Sequence, residues 1–588
     1  MTGAERFRPY AFLCALVVVL CALIAYPVAN VGVSDDWSYI YSARMMAQTG
    51  RFVYVGWASA MLGWMIPLGA AFIKLFGFSF TAVRASVVLI AAVNAYLLAC
   101  VFFRCGLNRW NAVVATLTLI LCPIYLPLAT SFMTDVPGML VATFGFYCCL
   151  RALEASSSRA ISAWIAAACI SSAIGGTARQ TAWLVVMVMV PCACWLLRRR
   201  RLPWIAVAAV WIASLSFIVA SLHWFHRQPY SLGEALEAAP PSMELIRALG
   251  EHVTRAALTS LLFLLPLTLA FLPHMRLRSR RVQLCVGLVA ALTLVFAIRS
   301  HHKHDLLAWL APFAGDNVGN YLTEKGLAPI ADIGARGAVL APWIRLVVTL
   351  AVWAGAVAVL AYFIAPRDSI HRTSPAHTGS NHGKPGYHEL LVLLVPYAAV
   401  YTLLLLHRAM FSIIFDRYLP ALLFIPVLFL ALTYQDRIAP RLPAICLAVA
   451  VIFGAFATAA DHDLFAMKRA RLRAVTELES AGVSPSQFYG GWEFDAWTQV
   501  SRYGFVNARA MNTPAGFSAA PPIYLRMKTK PCDYAGARLF PAIQPEFALS
   551  FDPVSCAGPS PFQPVGYSSW LPPYGSKIYI QKVTGRVY

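Results

Sequence analysis

The chain has 588 residues, of which 59% are hydrophobic and only 12% are charged, and its formal net charge is +21. A soluble globular protein carries about 25% charged residues, so this composition excludes an ordinary water-soluble chain. The basic residues stand in short clusters between apolar runs rather than on one water-exposed face, which argues against nucleic-acid binding. We therefore expect a polytopic α-helical membrane protein that contacts membrane lipids.

The apolar runs predict membrane-spanning helices in chain order. The first run, about residues 10–30, is too long for a cleaved signal and lacks a small-residue cleavage site, so we expect it to be retained. Since roughly 20 apolar residues cross a bilayer, the sequence predicts about 13 spans. The others are expected near 82–103, 111–130, 136–152, 160–176, 181–197, 203–222, 253–272, 282–298, 338–364, 389–406, 418–434 and 443–460.

The loops between these runs alternate in their content of Lys and Arg. By the positive-inside rule, the arginine-rich loops, such as 198–201 and 276–281, face the cytoplasm together with the N-terminus. The chain is thus expected in a bacterial inner membrane, with its C-terminal end periplasmic. Four segments are then external: 31–80, 223–252, 299–337 and 461–588.

The composition changes at two further places. Residues 366–387 are polar and predict a cytoplasmic linker within a transmembrane domain that covers 1–460. From residue 461 onward the apolar spans stop, and 461–588 predicts a small external α+β domain, with a helix near 464–481 and a strand near 577–583.

Two cysteines, Cys532 and Cys556, lie away from the predicted spans. Because they share the external domain, where disulfides can persist, we predict that they pair. The run of residues 301–305, which contains three histidines, is by contrast a poor metal site, because adjacent side chains diverge. The segment 489–497 mixes aromatic and acidic residues, which suits either sugar stacking or an ordinary packed turn.

Three carboxylates fall at the external membrane surface. Asp35 and Asp36 follow the first span, and Asp135 follows the third. Each has a structural interpretation, since Asp35 or Asp135 can cap a following helix. Each also has a functional interpretation, because an ionisable group at this depth costs free energy and is therefore a candidate for a functional site. Arg179, at the next external turn, either extends toward the interface or binds an anion such as phosphate.

Several short sequence motifs occur along the chain. They are Asp35-Asp36 with Tyr39, then Pro67, Leu75-Phe76-Gly77 and Arg84, then Thr134-Asp135-x-Pro137, and finally Asp416-Arg417-Tyr418-Leu419-Pro420. With the C-terminal external domain, this pattern resembles the GT-C superfamily of polyprenyl-phosphate-sugar glycosyltransferases, which includes protein O-mannosyltransferases and lipid A aminoarabinose transferases. The aminoarabinose transferases have a Glu before a Pro-Pro-Leu, and no acid stands at the corresponding Met65-Ile66-Pro67-Leu68.

The resemblance implies a membrane glycosyltransferase of the cell envelope. It would move a hexose or pentose from a polyprenyl-phosphate donor to a glycan, lipid or protein on the external face, with inversion. Because the phosphate departs already anionic, the chemistry needs a base for the acceptor hydroxyl rather than a strong acid. Asp35 aligns with the family's leading acid and would be this base, although Asp36 remains an alternative. Asp36 and Asp135 would position acceptor or sugar.

Cations are needed beside the departing phosphate. Arg179 and Arg417 are the expected phosphate ligands, and Tyr39 and Tyr418 are expected to contact substrate. No metal ligands are assigned, and a divalent cation as cofactor stays open. The alternative function is a lipid or sugar transporter or flippase, which would show internal repeats and broken helices near mid-membrane.

Overall fold

The structure is a computed structural model that describes residues 3–57, 59–233, 242–275, 306–315, 319–327, 336–364, 385–506, 539–554 and 557–583, with a few more near 280–287 and 333–334. Its helices are α1 (Gly3–Ala25), α2 (Asp36–Thr49), α3 (Met65–Phe76), α4 (Phe80–Arg104), α5 (Arg109–Ile120), α6 (Tyr125–Ala129), α7 (Asp135–Glu154), α8 (Ser158–Gly175), α9 (Val190–Leu196), α10 (Trp204–His226), α11 (Met243–Thr268), α12 (Pro342–Ile364), α13 (Tyr387–Phe411), α14 (Pro420–Arg437), α15 (Ala444–Ser480) and α16 (Trp492–Tyr503).

The predicted class, a polytopic helical membrane protein, is confirmed. Within the described ranges, nine helices are long and apolar enough to cross a membrane, namely α1, α4, α7, α8, α10, α11, α12, α13 and α15. The predicted number of about 13 spans is not confirmed. One predicted span, 282–298, lies outside the continuously described residues.

Two predicted spans are not continuous α-helices. The run 111–130 is broken into α5 and α6, with Pro123 between them. The run 181–197 begins as a 3-10 turn, passes through a π-helical turn and becomes regular only in α9, where Pro191 is in the first turn. Proline has no N–H to donate and clashes with the preceding turn, so it interrupts helices that apolar composition alone would continue.

The loop 31–80 contains two short helices, α2 and α3, that pack against each other. They approach closely at Gly69, where a Cβ would stand 2.8 Å from the Cβ of Ala43. The chain leaves α2 through Gly50, whose φ of 71° favours glycine. Leu75 and Phe76, at the end of α3, are largely exposed, which suits a helix that ends against lipid.

Helix α15 links the membrane part to the C-terminal domain. Its 37 residues extend about 55 Å, far more than the roughly 30 Å hydrocarbon layer, so its second half can belong to the C-terminal domain. This half contains the helix predicted near 464–481. The helix crosses the predicted boundary at residue 461 without interruption.

The C-terminal domain is built on a small sheet, in agreement with the predicted α+β class. Its strands are β3 (Phe488–Tyr489), β4 (Phe547–Ser550), β5 (Ala557–Gly558), β6 (Val565–Ser568) and β7 (Gly575–Val583), after a hairpin of β1 (Leu322–Thr323) and β2 (Gly326–Leu327) earlier in the chain. The order is β3-β4-β7-β5, and β6 also pairs with β7. Only β3 and β4 are parallel. The central strand β7 covers the strand predicted near 577–583.

Several predictions concern residues outside the described ranges. These are the disulfide between Cys532 and Cys556, the histidine run 301–305, and most of the linker 366–387. Helix α13 begins at Tyr387, the last residue of that predicted linker.

Candidate active site

Asp36 is buried completely in a network of hydrogen bonds. Its Oδ2 accepts from Arg84 Nε at 2.8 Å and from the Phe132 backbone N–H at 3.2 Å. Its Oδ1 accepts from the Val33 N–H at 2.7 Å and from Arg84 Nη2 at 3.2 Å. Both oxygens therefore have two donors each, and the carboxylate joins the start of α2 to α4 and to the turn before α7.

Asp35 has a different environment, although it is the next residue. It is in the N-cap position of α2, yet its side chain accepts no capping hydrogen bond. Instead, Oδ1 accepts from Trp57 Nε1 at 2.9 Å, and Oδ2 forms an ion pair with Arg417 Nη1 at 3.0 Å. The side chain is 17% exposed. Asp35 therefore accepts one hydrogen bond on each carboxylate oxygen, and both oxygens can accept another.

Asp135 begins α7 and forms the second ion pair. Its Oδ1 is 3.0 Å from Arg179 Nη1, and its side chain is 4% exposed. The geometry is not that of a hydrogen bond, and neither buried carboxylate oxygen has a hydrogen-bond donor in the described part of the chain. Buried acceptors are nearly always satisfied, so a buried carboxylate with an ion pair but no hydrogen-bond donor is unusual.

The two ion pairs meet at the ring of Tyr418. The guanidinium carbons of Arg179, Arg408 and Arg417 lie 4.5, 5.1 and 5.7 Å from its ring centroid. The Tyr418 carbonyl accepts from the hydroxyl of Tyr401 at 2.9 Å, which holds this turn in place. One aromatic ring is therefore surrounded by three cationic side chains from three separate segments.

Tyr39, on the first turns of α2, belongs to the same group of residues. Burial raises the pKa of its hydroxyl well above the usual value, and the charges of Asp35 and Asp135 raise it further against the effect of Arg417. The hydroxyl therefore stays protonated and can donate a hydrogen bond. The arginine partners of Asp35 and Asp135 both lie against the ring of Tyr418, so the two acids are close to the same residue.

Arg408 is a site residue that our sequence analysis missed. It is near the end of α13, and its guanidinium carbon lies 4.9 Å from the Phe415 ring centroid. Its buried Nε has no hydrogen-bond partner, and no carboxylate pairs with it among the described residues. Three arginines thus lie around Tyr418, and of these only Arg408 has no carboxylate partner in the described part of the chain. No local signal in the sequence marks this position, since an arginine that ends an apolar run is expected at the lipid interface.

The structure thus brings together Asp35, Asp135, Arg179, Arg417, Tyr39 and Tyr418, and it turns Asp36 away toward Arg84. The segment 489–497 is packed rather than open, since Trp497 lies 4.9 Å from Phe80 and 5.6 Å from Tyr41 between ring centroids. No group of three or more His, Cys, Asp or Glu side chains in the described ranges has the arrangement of a metal site.

Comparisons with known proteins agree with the resemblance that the sequence motifs indicate. Residues 58–226, which contain Asp135 and Arg179, match the family of dolichyl-phosphate-mannose-protein mannosyltransferases. This match confirms the predicted resemblance to the GT-C superfamily of glycosyltransferases. No curated protein sequence is similar enough to this chain to count as a match.

Two solved structures illustrate the similarity at low sequence identity. ArnT from Cupriavidus metallidurans, bound to undecaprenyl phosphate, is 13% identical, with a TM-score of 0.36 over 81% of this chain and 82% of ArnT. The oligosaccharyltransferase AglB from Archaeoglobus fulgidus, in complex with an inhibitory peptide and a dolichol-phosphate, is also 13% identical, with a TM-score of 0.39 over 92% of this chain and 70% of AglB.

Proposed function

We propose that this protein is a membrane glycosyltransferase that moves one sugar from a polyprenyl-phosphate donor to an acceptor hydroxyl, with inversion. The observation that carries this proposal is the meeting of two aspartate–arginine pairs, Asp35–Arg417 and Asp135–Arg179, around one tyrosine ring. The family match over 58–226 supports a glycosyltransferase, and that family is named for a mannose carried on dolichyl phosphate.

The reaction is a single displacement at the anomeric carbon. The acceptor oxygen attacks this carbon while its proton passes to the carboxylate of Asp35. The bond from the anomeric carbon to the phosphate oxygen breaks, and the electron pair leaves with polyprenyl phosphate. Attack opposite the leaving group inverts the configuration. A positioned base of this kind contributes about 10²- to 10⁴-fold in rate.

Asp35 suits the role of base better than Asp36. Each oxygen of Asp35 accepts one hydrogen bond and the side chain is partly exposed, so a hydroxyl can reach it. Asp36 is fully buried, and its lone pairs already accept four hydrogen bonds. Asp36 would therefore hold α2 in place, and Asp135, with its unsatisfied oxygens, would bind hydroxyls of the sugar or acceptor.

Arg179, Arg408 and Arg417 would bind the donor phosphate, with Tyr39 and Tyr418 beside it. The donor is a phosphodiester with one negative charge, and Arg408, which has no carboxylate partner in the described part of the chain, would pair with it. The departing monoester carries about −1.5 to −2 at neutral pH. Because negative charge grows during the reaction, these fixed cations interact more strongly with the transition state than with the bound donor.

The site would face the outside of a bacterial inner membrane. The arginine-rich loops favour a cytoplasmic N-terminus, and in that orientation the start of α2 and the start of α7 would be external. Residues 461–588 would form the external domain after the transmembrane domain of residues 1–460. An acceptor glycan, lipid or protein would approach from this side.

The test uses purified protein in nanodiscs with synthetic polyprenyl-phosphate sugars that carry different hexoses or pentoses. A glycosyltransferase consumes the donor and releases polyprenyl phosphate, which thin-layer chromatography separates. In a deletion strain, the donor lipid should accumulate and one surface glycan should lose a single sugar. A transporter or flippase would instead move the donor across the bilayer intact, and that result would exclude the proposal.

A further inference from the structure

One glutamate of the C-terminal domain reaches the loop that carries Asp35. Glu493, in the first turn of α16, is 6% exposed. Its Oε1 accepts from the backbone N–H of Ser34 at 3.1 Å, and its Oε2 lies 2.6 Å from Nζ of Lys468 on α15. A single buried side chain therefore joins the external domain, the last long helix and the residue that precedes Asp35.

Ser34 has a backbone conformation that needs support. Its φ is 56°, in the left-handed region that residues other than glycine seldom adopt. Such a conformation persists where the surroundings hold it. The hydrogen bond from Ser34 to Glu493 supplies this restraint, and the backbone angles of Ser34 set the direction in which the chain enters Asp35.

Gly32 shows how closely this loop is pressed against Glu493. A Cβ at Gly32 would stand 2.9 Å from the Cβ of Glu493 and 2.8 Å from the Cβ of Trp37. Real Cβ atoms do not approach this closely, so any larger residue would push the loop away from α16. The contact between the loop and the C-terminal domain therefore depends on glycine at this position.

A second contact from the same helix reaches Asp35 through side chains. The ring of Trp492 lies 5.5 Å from that of Trp57, at 63° between the planes. Trp57 in turn donates its Nε1–H to Asp35 Oδ1. Adjacent residues of α16 thus restrain Asp35 both through the backbone of Ser34 and through the indole of Trp57.

We propose that Glu493 is a positioning residue for sugar transfer. By accepting the Ser34 N–H, it fixes the orientation of the Asp35 carboxylate, so the external domain completes the active site. This inference rests on the proposed role of Asp35 as the base. Lys468 holds Glu493 in this orientation through the ion pair between its Nζ and Glu493 Oε2.

A matched pair of double variants isolates the hydrogen bond to Ser34. Lys468→Met with Glu493→Gln removes both charges but keeps an oxygen that can accept from Ser34. Lys468→Met with Glu493→Leu removes the charges and the acceptor, at similar volume. Well-packed uncharged replacements of a buried ion pair are often tolerated, so both should fold.

We expect the Gln variant to keep kcat within a few-fold of wild type. The Leu variant should lose about 10²-fold in kcat, the scale of a misplacement by about 1 Å, with an unchanged KM for the donor. Donor turnover and melting temperature are measured on the same nanodisc samples. Equal kcat in the two double variants overturns the proposal.

Two further variants keep the test decisive if the Leu variant does not fold. Gly32→Ala leaves the Lys468–Glu493 pair intact and should lower kcat to a similar extent, so normal turnover in this variant contradicts the inference. In an Asp35→Asn background, Gly32→Ala should cause no additional loss of the residual rate, whereas a multiplied loss assigns the loop contact a general structural role. Full activity of Asp35→Asn alone would instead remove the proposed base, which is a separate failure.

Discussion

The replacement Asp35→Asn separates the chemical role of this residue from a structural one. Asparagine has nearly the same shape, and its carbonyl oxygen can still accept from Trp57 Nε1. It cannot take a proton from an acceptor hydroxyl at neutral pH. Loss of a positioned base costs about 10²- to 10⁴-fold in rate. Since a factor of ten corresponds to about 1.4 kcal/mol, the barrier should rise by about 3–5 kcal/mol.

The structural effect of the same change should be smaller. The ion pair between Asp35 and Arg417 is only partly exposed, at 17% and 9%, so its loss is not negligible. A hydrogen bond to a charged group contributes about 1.5–3 kcal/mol, which would lower the melting temperature by a few degrees. Bound donor phosphate would restore a partner for Arg417, so adding donor should reduce even this difference.

Asp36→Asn is the matched control. Asp36 is fully buried with Arg84, and breaking a buried pair by removing one partner costs about 3–5 kcal/mol. We therefore expect poor yield or a much lower melting temperature for Asp36→Asn, and a nearly normal melting temperature with little turnover for Asp35→Asn. Melting temperature and donor turnover are measured for both variants in nanodiscs with the same donor.

A turnover of Asp35→Asn within a few-fold of wild type would refute its role as base. The assignment would then move to Asp135, whose oxygens have no hydrogen-bond donor among the described residues. Full activity in the Asn variants of Asp35, Asp36 and Asp135 would contradict the glycosyltransferase reaction itself.

Other predictions follow from the remaining contacts. Arg408→Gln should raise the donor KM by about 10- to 100-fold, the range of a charge-assisted hydrogen bond, without loss of melting temperature, and an unchanged KM would exclude Arg408 from the phosphate site. Burial raises the pKa of Asp416 to about 6 from its usual 3.8, so the folded protein binds a proton between about pH 4 and 6 that the unfolded chain does not. This group therefore stabilises the fold as the pH falls through that window, and the difference in melting temperature between wild type and Asp416→Asn should change there and stay constant above pH 7. Reporter fusions after Tyr434 and Tyr588 should report opposite sides of the membrane, and a cytoplasmic C-terminus would reverse the proposed orientation.

The class of the protein was predictable because it depends on local composition. A run of apolar residues long enough to cross a bilayer is visible in the sequence, and so are the arginines that flank it. The continuity of a helix is not visible in the same way. Average hydropathy over 111–130 ignores the effect of Pro123 on the hydrogen bonds of the backbone, and the structure breaks that run into α5 and α6.

The candidate site was predictable as a set of residues but not as pairs. The cost of ionisable groups at the membrane surface pointed to Asp35 and Asp135, and the resemblance to the family pointed to Arg417. Arg179 was expected to bind an anion such as phosphate. Their pairing depends on tertiary packing across as many as 382 positions of separation, as between Asp35 and Arg417. Arg408 was missed for a related reason, since nothing local distinguishes an arginine over a tyrosine ring from one at the lipid interface.

The division of roles between Asp35 and Asp36 follows from the start of α2. Successive residues on a helix are rotated by about 100°, so adjacent carboxylates at its first turn cannot face the same way. Asp36 faces inward, where Arg84 and two backbone N–H groups hold it, and Asp35 then faces Arg417. The rigid contacts of Asp36 therefore determine where the carboxylate of Asp35 stands, and they would hold the proposed base in a fixed position. For this reason we expect a conservative Arg84→Lys change, which keeps the charge but loses the forked contact with Asp36, to reduce turnover as well as stability.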